Sequence, residues 1–430
     1  MVYAIDLVYH ALALAGFPYV LYKFATAPRY RAGLGERLGG VPARDGDRPA
    51  LWIHGVSVGE IKSARTLVEA VEKSHPGWEV VLSTTTKDGQ DVARGMYPDH
   101  LVFYYPFDAS WCVKRTLARV RPAAVVLLEL EVWPNFLSIV KKAGVPVVVA
   151  NGRITRRTFA LHRKWWKLVQ YTYAKIRHFA VQNEIYARRF RDLGVDPAKI
   201  TVTGNMKCDN APAPPPGGRN AALARRLGLE GAVALVAGST HGGEEGMLLD
   251  AYARVIDEHP DLRMVIVPRK RERFDEVERE IESRGLTCVR KTAVDAAGGR
   301  SKPLAADEIL LGDTMGELAK TYEAADFVFL GRSLVPFGGS DMLEPGALAR
   351  PLVFGPHTEN FPDLADELVA SGGAVRLAGP EELAEVLGRI AEDGGLRREM
   401  GEKARMVIDR NRGATTRTMD LIFDIMEPAE

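Results

Sequence analysis

Between Asn210 and Asn220 the chain runs Asn-Ala-Pro-Ala-Pro-Pro-Pro-Gly-Gly-Arg-Asn. Proline removes backbone donors and glycine adds freedom, so this stretch can be neither a helix nor a central strand, and it has the composition of a semi-rigid linker. The same alternation is read on each side of it. Upstream, Leu51–His54, Val80–Leu82, Val102–Tyr104, Ala124–Leu128 and Val145–Ala150 are short apolar runs between helical stretches. The clearest of those helices starts at Glu60 and carries Ile61, Ala64, Leu67, Val68 and Val71 on one face. Downstream, Val233–Ala237, Met264–Val267 and strands near Thr287, Ile309 and Phe327 alternate with helices over 244–256 and 274–284. The spacing predicts an α/β fold of two Rossmann-like halves, each a parallel sheet with helices on both faces. Such sheets bind ligands beyond the carboxyl ends of their strands, and two of them predict a cleft walled by the strand-end loops of both halves.

At 430 residues the chain exceeds one ordinary core. The expected organisation is an N-terminal segment over 1–30, a first domain over 31–209, the linker over 210–220, a second domain over 221–405, and a C-terminal helix over 406–430 expected to pack back on the first domain. Apolar content of 46% with 26% charged residues is that of a globular protein. A net charge of +1 gives no electrostatic case for nucleic acid as a partner. Cys112, Cys208 and Cys288 are far apart, and no C-x-x-C spacing occurs, so neither a disulfide framework nor a zinc site is expected, and reduced thiols in a cytoplasmic setting are. His54, His178, His241 and His357 are scattered without metal-ligand spacing. A P-loop lysine and a G-x-G-x-x-G are both missing, which removes P-loop, kinase and dehydrogenase readings.

Residues 7–22 are mostly apolar but broken by His10, Gly16 and Pro18, short of the roughly 20 residues that a spanning helix wants. Tyr3, Tyr9, Tyr19 and Tyr22 flank the run, and Lys23, Arg29, Arg31 and Arg37 follow. That pattern favours a retained helix seated at an anionic cytoplasmic leaflet over a soluble core helix.

The candidate chemistry collects on strand-end loops. Glu60 closes Gly55-Val-Ser-Val-Gly59, and a carboxylate there is either an N-terminal helix charge or a general base held by a rigid element. Glu129 and Glu131 interrupt an apolar run before Trp133-Pro134, where each needs a partner. Gly238-Ser-Thr-His-Gly-Gly-Glu244 is a second glycine-rich strand-to-helix loop, whose Ser239 and Thr240 could cap the helix or hold a phosphate. Pro268-Arg269 ends the next strand and brings a cation to the same edge. After Phe327-Val328-Phe329 comes Gly331, then Gly338-Gly339, then a helix led by Leu343-Glu344-Pro345, a loop suited to an anion, with Glu344 placed for ribose hydroxyls.

Taken together, His54-Gly-Val-Ser-Val-Gly-Glu60, Glu129-Leu-Glu-Val-Trp-Pro-Asn135, Asn151-Gly-Arg153, Gly204-Asn-Met-Lys-Cys-Asp209, Ala237-Gly-Ser-Thr-His241, Pro268-Arg269, Asp313-Thr-Met-Gly-Glu-Leu318, Gly338-Gly339 with Leu343-Glu-Pro345, and Gly355-Pro-His-Thr-Glu-Asn-Phe361 resemble the Kdo transferases, which move 3-deoxy-D-manno-octulosonic acid (Kdo) from CMP-Kdo onto a lipid A precursor. The match runs in order over nearly the whole chain. It implies the GT-B architecture and a metal-independent, inverting glycosyltransferase of lipopolysaccharide biosynthesis with no cofactor. It also implies attachment to the cytoplasmic face of the inner membrane. Glu60 matches the family's general base, and Glu129, Glu131 and Arg153 fall in the catalytic set. Ser239, Thr240, His241, Pro268, Arg269, Gly338, Gly339, Ser340 and Glu344 fall in the donor site of the C-terminal half, with the acceptor in the N-terminal half. Lys207 and Arg153 suit the Kdo carboxylate or the acceptor's phosphates.

Three departures stand out. Ser340-Asp341 replaces a usual His-Asn, Arg332 replaces a common glycine, and Cys208 stands where a bulkier residue is common. Asp341 is expected to bring negative charge near the phosphate site. The alternatives are another GT-B nucleotide-sugar transferase or epimerase, a membrane-bound nucleotide-sugar binding protein without turnover, and a soluble enzyme whose first 25 residues are core.

Overall fold

A computed structural model describes residues 5–7, 9, 11, 16 and 31–426. The chain divides into two units, Met1–Asn210 with Asn411–Glu430, and Ala211–Arg410.

The first unit is built on seven strands, β1 (Ala50–His54), β2 (Glu79–Thr84), β3 (Leu101–Tyr104), β4 (Ala124–Leu128), β5 (Val147–Gly152), β6 (His178–Val181) and β7 (Ile200–Val202). They pair in parallel in the order β3-β2-β1-β4-β5-β6-β7. β1, β4 and β5 are buried along their whole length, which is why they read as continuous apolar runs rather than alternating ones. Successive side chains of β1 feed opposite cores: Trp52 packs with Phe103 and Phe136, while Leu51 and Ile53 pack with Leu67 and Val126. The helix Val58–Ser74 lays Ile61, Ala64, Leu67, Val68 and Val71 on that second core, along the stripe seen in the sequence.

The C-terminal helix Ala414–Met426 belongs to this same unit. Its unpaired N-terminal donors are met from far away in sequence: the Asp209 carboxylate accepts from Gly413 N at 2.6 Å and Thr415 N at 2.7 Å. Further along, the Phe423 ring stacks on His75 at 3.4 Å and meets Trp78 edge-on at 5.2 Å. Phe423→Ala is expected to destabilise the first unit by about 3 kcal/mol, read as a shift of its denaturation midpoint, because it removes a buried ring and the anchor of a helix closing the chain.

The second unit contains β8 (Val233–Thr240), β9 (Leu262–Pro268), β10 (Thr287–Arg290), β11 (Glu308–Leu311), β12 (Phe327–Leu330), β13 (Leu352–Phe354) and β14 (Ala374–Arg376). These too are parallel, in the order β10-β11-β9-β8-β12-β13-β14. The order turns between β1 and β4 in the first sheet and between β8 and β12 in the second, where β11 is in addition inserted between β9 and the edge strand β10. Connections leave these neighbouring strands toward opposite sides, so the loops at their carboxyl ends part and leave a crevice.

Several details depart from expectation. The region 153–209, unassigned from sequence, holds β6, β7 and the helices Arg156–Lys164 and Trp166–Tyr173. Beyond Asn210, which ends the 3-10 helix Met206–Asn210, the expected linker carries no helix or strand, but its last residues are fixed in the second unit. Arg219 donates to Ala324 O and Leu229 O, and Asn220 caps the helix Ala221–Arg226. All three cysteines are free thiols, in agreement with the sequence reading. Most of the expected N-terminal segment lies outside the described residues, and among those described no helix is long and apolar enough to cross a membrane.

Candidate active site

The first crevice is built at the ends of β1, β4 and β5. Ser57-Val-Gly-Glu60 forms a capping box at the start of the helix Val58–Ser74: Ser57 Oγ accepts from Glu60 N and donates to Glu60 Oε1 at 2.8 Å. The other carboxylate oxygen accepts from Val56 N at 2.8 Å. The cap that starts the helix also fixes the carboxylate in place. Burial, and then the neighbouring Glu129, hold the Glu60 carboxyl above its ordinary range.

Glu129 follows β4 with φ 58, a left-handed conformation that a non-glycine residue adopts at a cost of about 1 kcal/mol or more. Asn151, at the end of neighbouring β5, has φ 55. Two such residues side by side mark where the backbone bends out of the sheet to present side chains. Asn151 Oδ1 accepts from Met206 N at 3.1 Å, which brings in the segment 206–210, and Lys207 Nζ then reaches Glu129 Oε1 at 3.0 Å. Glu129 therefore has the partner that its apolar surroundings demanded. Glu131 is half-buried; burial, and next the charge of Glu60, push its carboxyl up to about 7. Three carboxylates of the sequence reading are thus brought within electrostatic reach of one another, with Lys207 among them. Arg153 is half-buried after the end of β5.

Lys207→Met is expected to lower kcat about tenfold or more by releasing Glu129. Because the Lys207 cation holds the Glu60 carboxyl down, its loss raises that pKa further. A base must be ionised to act, so the acid limb of the pH–rate profile should move to higher pH; an unmoved limb would exclude the coupling.

The second crevice lies at the ends of β8 and β12. Ser239 and Thr240 do not cap the following helix, contrary to one sequence-based option: both lie in β8, and the N-cap of Glu244–Val255 is Gly243, with φ 92. The donors that such a loop could offer an anion are largely taken by Glu244. Its fully buried carboxylate accepts from His241 N (2.9 Å), Arg332 N (2.6 Å), Ser333 N (2.8 Å) and Leu334 N (3.0 Å), clasping the loops after β8 and β12 together. The approach of these loops requires Gly331, where a Cβ would stand 2.5 Å from Ser239 O and Thr240 Cα. Ser239 itself has φ 57. Pro268 pairs with Thr240, and Arg269 N donates to Thr240 O at 3.0 Å, so the Arg269 side chain starts from the same edge and is exposed.

The loop of the departures is also well defined. Gly338 and Gly339 have φ 79 and 77, Gly339 N donates to Arg332 O at 2.8 Å, and Ser340 Oγ donates to Gly331 O at 2.9 Å. Arg332 has φ 62, a left-handed conformation that favours glycine. Leu343–Ala347 is a helix of only five residues, and Asp341 Oδ1 accepts from Leu343 N at 2.9 Å. That corrects the picture of an open helix terminus, because Asp341 already uses one of its first donors. Glu344 and Asp341 both act on Tyr322, whose hydroxyl lies against Gly238. His241 stacks on the exposed Phe337 ring at 4.0 Å and joins the two loops by their side chains.

Two features escaped the sequence reading. Arg273 is buried, with Nη2 3.3 Å from Glu245 Oε2 and 3.2 Å from Glu276 Oε1, yet within Pro268-Arg-Lys-Arg-Glu-Arg-Phe274 it resembles solvated charge. Glu244 as a clasp was hidden because its partners lie 88 to 90 residues downstream.

Two parallel α/β units, each with polar side chains gathered at the switch point of its sheet, have the architecture of the GT-B fold class. The fold is similar to that of a putative UDP-N-acetylglucosamine 2-epimerase from Listeria monocytogenes (TM-score 0.61, 14% identity, 89% of this chain and 98% of that one). It is also similar to Acinetobacter baumannii MurG (TM-score 0.53, 16% identity, 88% of this chain and 100% of that one). Residues 32–210 match the family model for 3-deoxy-D-manno-octulosonic-acid transferase (kdotransferase). Over 410 residues the chain is 30% identical to the 3-deoxy-D-manno-octulosonic acid transferase of Haemophilus influenzae, covering 93% of each, and it is 29% identical to that of Bordetella pertussis, covering 96% of this chain and 98% of the relative. The chain belongs to the 3-deoxy-D-manno-octulosonic acid transferase family.

Proposed function

We propose that this protein transfers Kdo from CMP-Kdo to the tetraacyl lipid A precursor, lipid IVA, with inversion, at the cytoplasmic face of the inner membrane. The observation that carries the reading is the restrained Glu60 carboxylate beside Glu129 and Lys207, in a chain of this family. An acceptor hydroxyl gives its proton to Glu60 as its oxygen bonds to the anomeric carbon of Kdo. The bond from that carbon to the CMP phosphate oxygen breaks, and CMP leaves with the electron pair. Burial and the charge of Glu60 push the Glu131 carboxyl up to about 7, so Glu131 can share a proton with the base beside it. Lys207 and Arg153 meet the Kdo carboxylate or acceptor phosphates. No metal or cofactor enters this reading, in which the phosphate charge is met by Arg269, Ser239, Thr240, His241 and the backbone N–H of Gly338, while Pro268, Gly339 and Ser340 shape the loops around it and Glu344 holds the ribose.

The test supplies purified protein with freshly generated CMP-Kdo and lipid IVA, and follows CMP release together with lipid mass. Matching CMP and Kdo-lipid yields are expected, undiminished by chelator. CMP release without lipid product, or no release, would overturn the proposal.

A further inference from the structure

From Arg153 to Asn183 the chain carries eight Lys and Arg residues and no Asp or Glu, against a net charge of +1 for the whole protein. Such an excess is a feature of placement rather than of composition. The segment folds as the helices Arg156–Lys164 and Trp166–Tyr173, joined at Trp165, directly after β5. Its inner side is firmly seated: Val169 and Tyr173 are buried, the Tyr173 ring packs on Phe179 at 5.5 Å, and its hydroxyl meets His162 Nδ1 at 2.9 Å. Its outer side is therefore held outward by construction.

That outer side is apolar where water should favour polarity. Trp165 is 64% exposed, Leu161 53% and Trp166 50%, and Leu168 is exposed as well. Leu161, Trp165 and Leu168 fall at the spacing of one helical stripe. Paired tryptophans ringed by cations of a single sign suit neither water nor an ordinary protein partner, whose rim mixes both signs. They suit the interface of a bilayer, where indole sits at headgroup depth and Lys and Arg meet anionic lipid.

Neighbouring features extend the surface. The exposed Trp111 and Trp133 follow β3 and β4, at the sheet edge from which the helices after β5 also emerge, because all these strands are parallel. Between them two of the described N-terminal residues make contact: Asp6 Oδ1 accepts from Ser110 N at 3.0 Å and Asn135 Nδ2 at 2.8 Å, and Tyr9 Oη donates to Asp108 Oδ2 at 2.9 Å. The loop of Glu60, after β1, opens at this same edge.

We propose that the helix pair 156–173, with Trp111 and Trp133, is a docking face for an anionic lipid bilayer, which holds the Glu60 edge of the first unit against the headgroups. This rests on the reading of a lipid acceptor at a membrane, and adds to it a contact independent of residues 1–30.

The experiment uses the full chain and vesicles of phosphatidylethanolamine with phosphatidylglycerol, or of phosphatidylcholine, measuring sedimentation and quenching of tryptophan fluorescence by brominated acyl chains. Wild type should prefer the anionic vesicles, with quenching that is reduced in W165F/W166F and largely lost when Trp111 and Trp133 are replaced by Phe as well. W165S/W166S should lower partitioning about tenfold or more, and R156Q/R157Q/R163Q/K164Q should lower it similarly and abolish its salt dependence. Exposed positions leave the melting temperature unchanged, which checks the fold. Wild-type partitioning by both multiple variants, without quenching at Trp165 and Trp166, would overturn the docking face while leaving membrane attachment through the N-terminal segment standing. Failure of wild type to bind either vesicle would overturn both. A vesicle-independent dimer lost in W165S/W166S would overturn the lipid assignment in favour of a second copy of this chain.

Discussion

Glu60→Gln should lower kcat for sugar transfer by at least about a hundredfold while CMP binding stays within about twofold of wild type. The amide keeps an oxygen for Val56 N and the shape of the capping box, so the helix Val58–Ser74 still starts at Val58. What it loses is the ability to take a proton from the acceptor. The pH dependence follows from the same environment. Burial and Glu129 raise the carboxyl, and a base with a raised pKa is lost earlier as pH falls, so the acid limb of the wild-type profile should lie above the ordinary carboxylate range. Retention of more than about a tenth of wild-type kcat by the amide would place the base elsewhere.

Glu244→Ala should destabilise the second unit by about 4 kcal/mol, the largest structural effect expected of any polar substitution here. One carboxylate satisfies four backbone donors, and alanine leaves all four, buried at Ser333 and partly buried at His241, Arg332 and Leu334, without that acceptor, each at a cost of roughly 1 kcal/mol. Glu244→Gln should recover about half of the loss, since one acceptor oxygen remains. The local readout is hydrogen exchange at the amides of Arg332, Ser333 and Leu334, which should speed up in step with the lost stability. Unchanged exchange at these three amides would mean that the clasp contributes nothing. Since the clasp joins the loops carrying Ser239 and Gly338, weaker CMP binding should accompany it.

Much of this site was legible beforehand. Ser57 three residues before Glu60 is a local signature, complete within one turn of helix, and so it appears in the chain as it does in the fold. The apolar runs 124–128 and 147–150 became the central strands β4 and β5 because a parallel sheet buries both faces of its middle strands. Periodicity failed over 153–183, where Trp165, Trp166 and Leu168 point outward and blur the stripe that a helix normally shows. It also misread the donor loops, where Thr240 continues a strand and Asp341 occupies a donor of a very short helix.

The sequence by itself determined the strand and helix alternation, the break at Asn210–Asn220, the carboxylates and the family, since each is written in neighbouring residues or in motif order. Only the tertiary structure decided who meets whom: Lys207 with Glu129 across 78 residues, Asp209 with the helix starting at Ala414, and Glu244 with the loop after β12. The physical reason is that hydrophobic periodicity specifies which face turns inward, whereas the partner of a buried charge is chosen by the order in which the strands assemble.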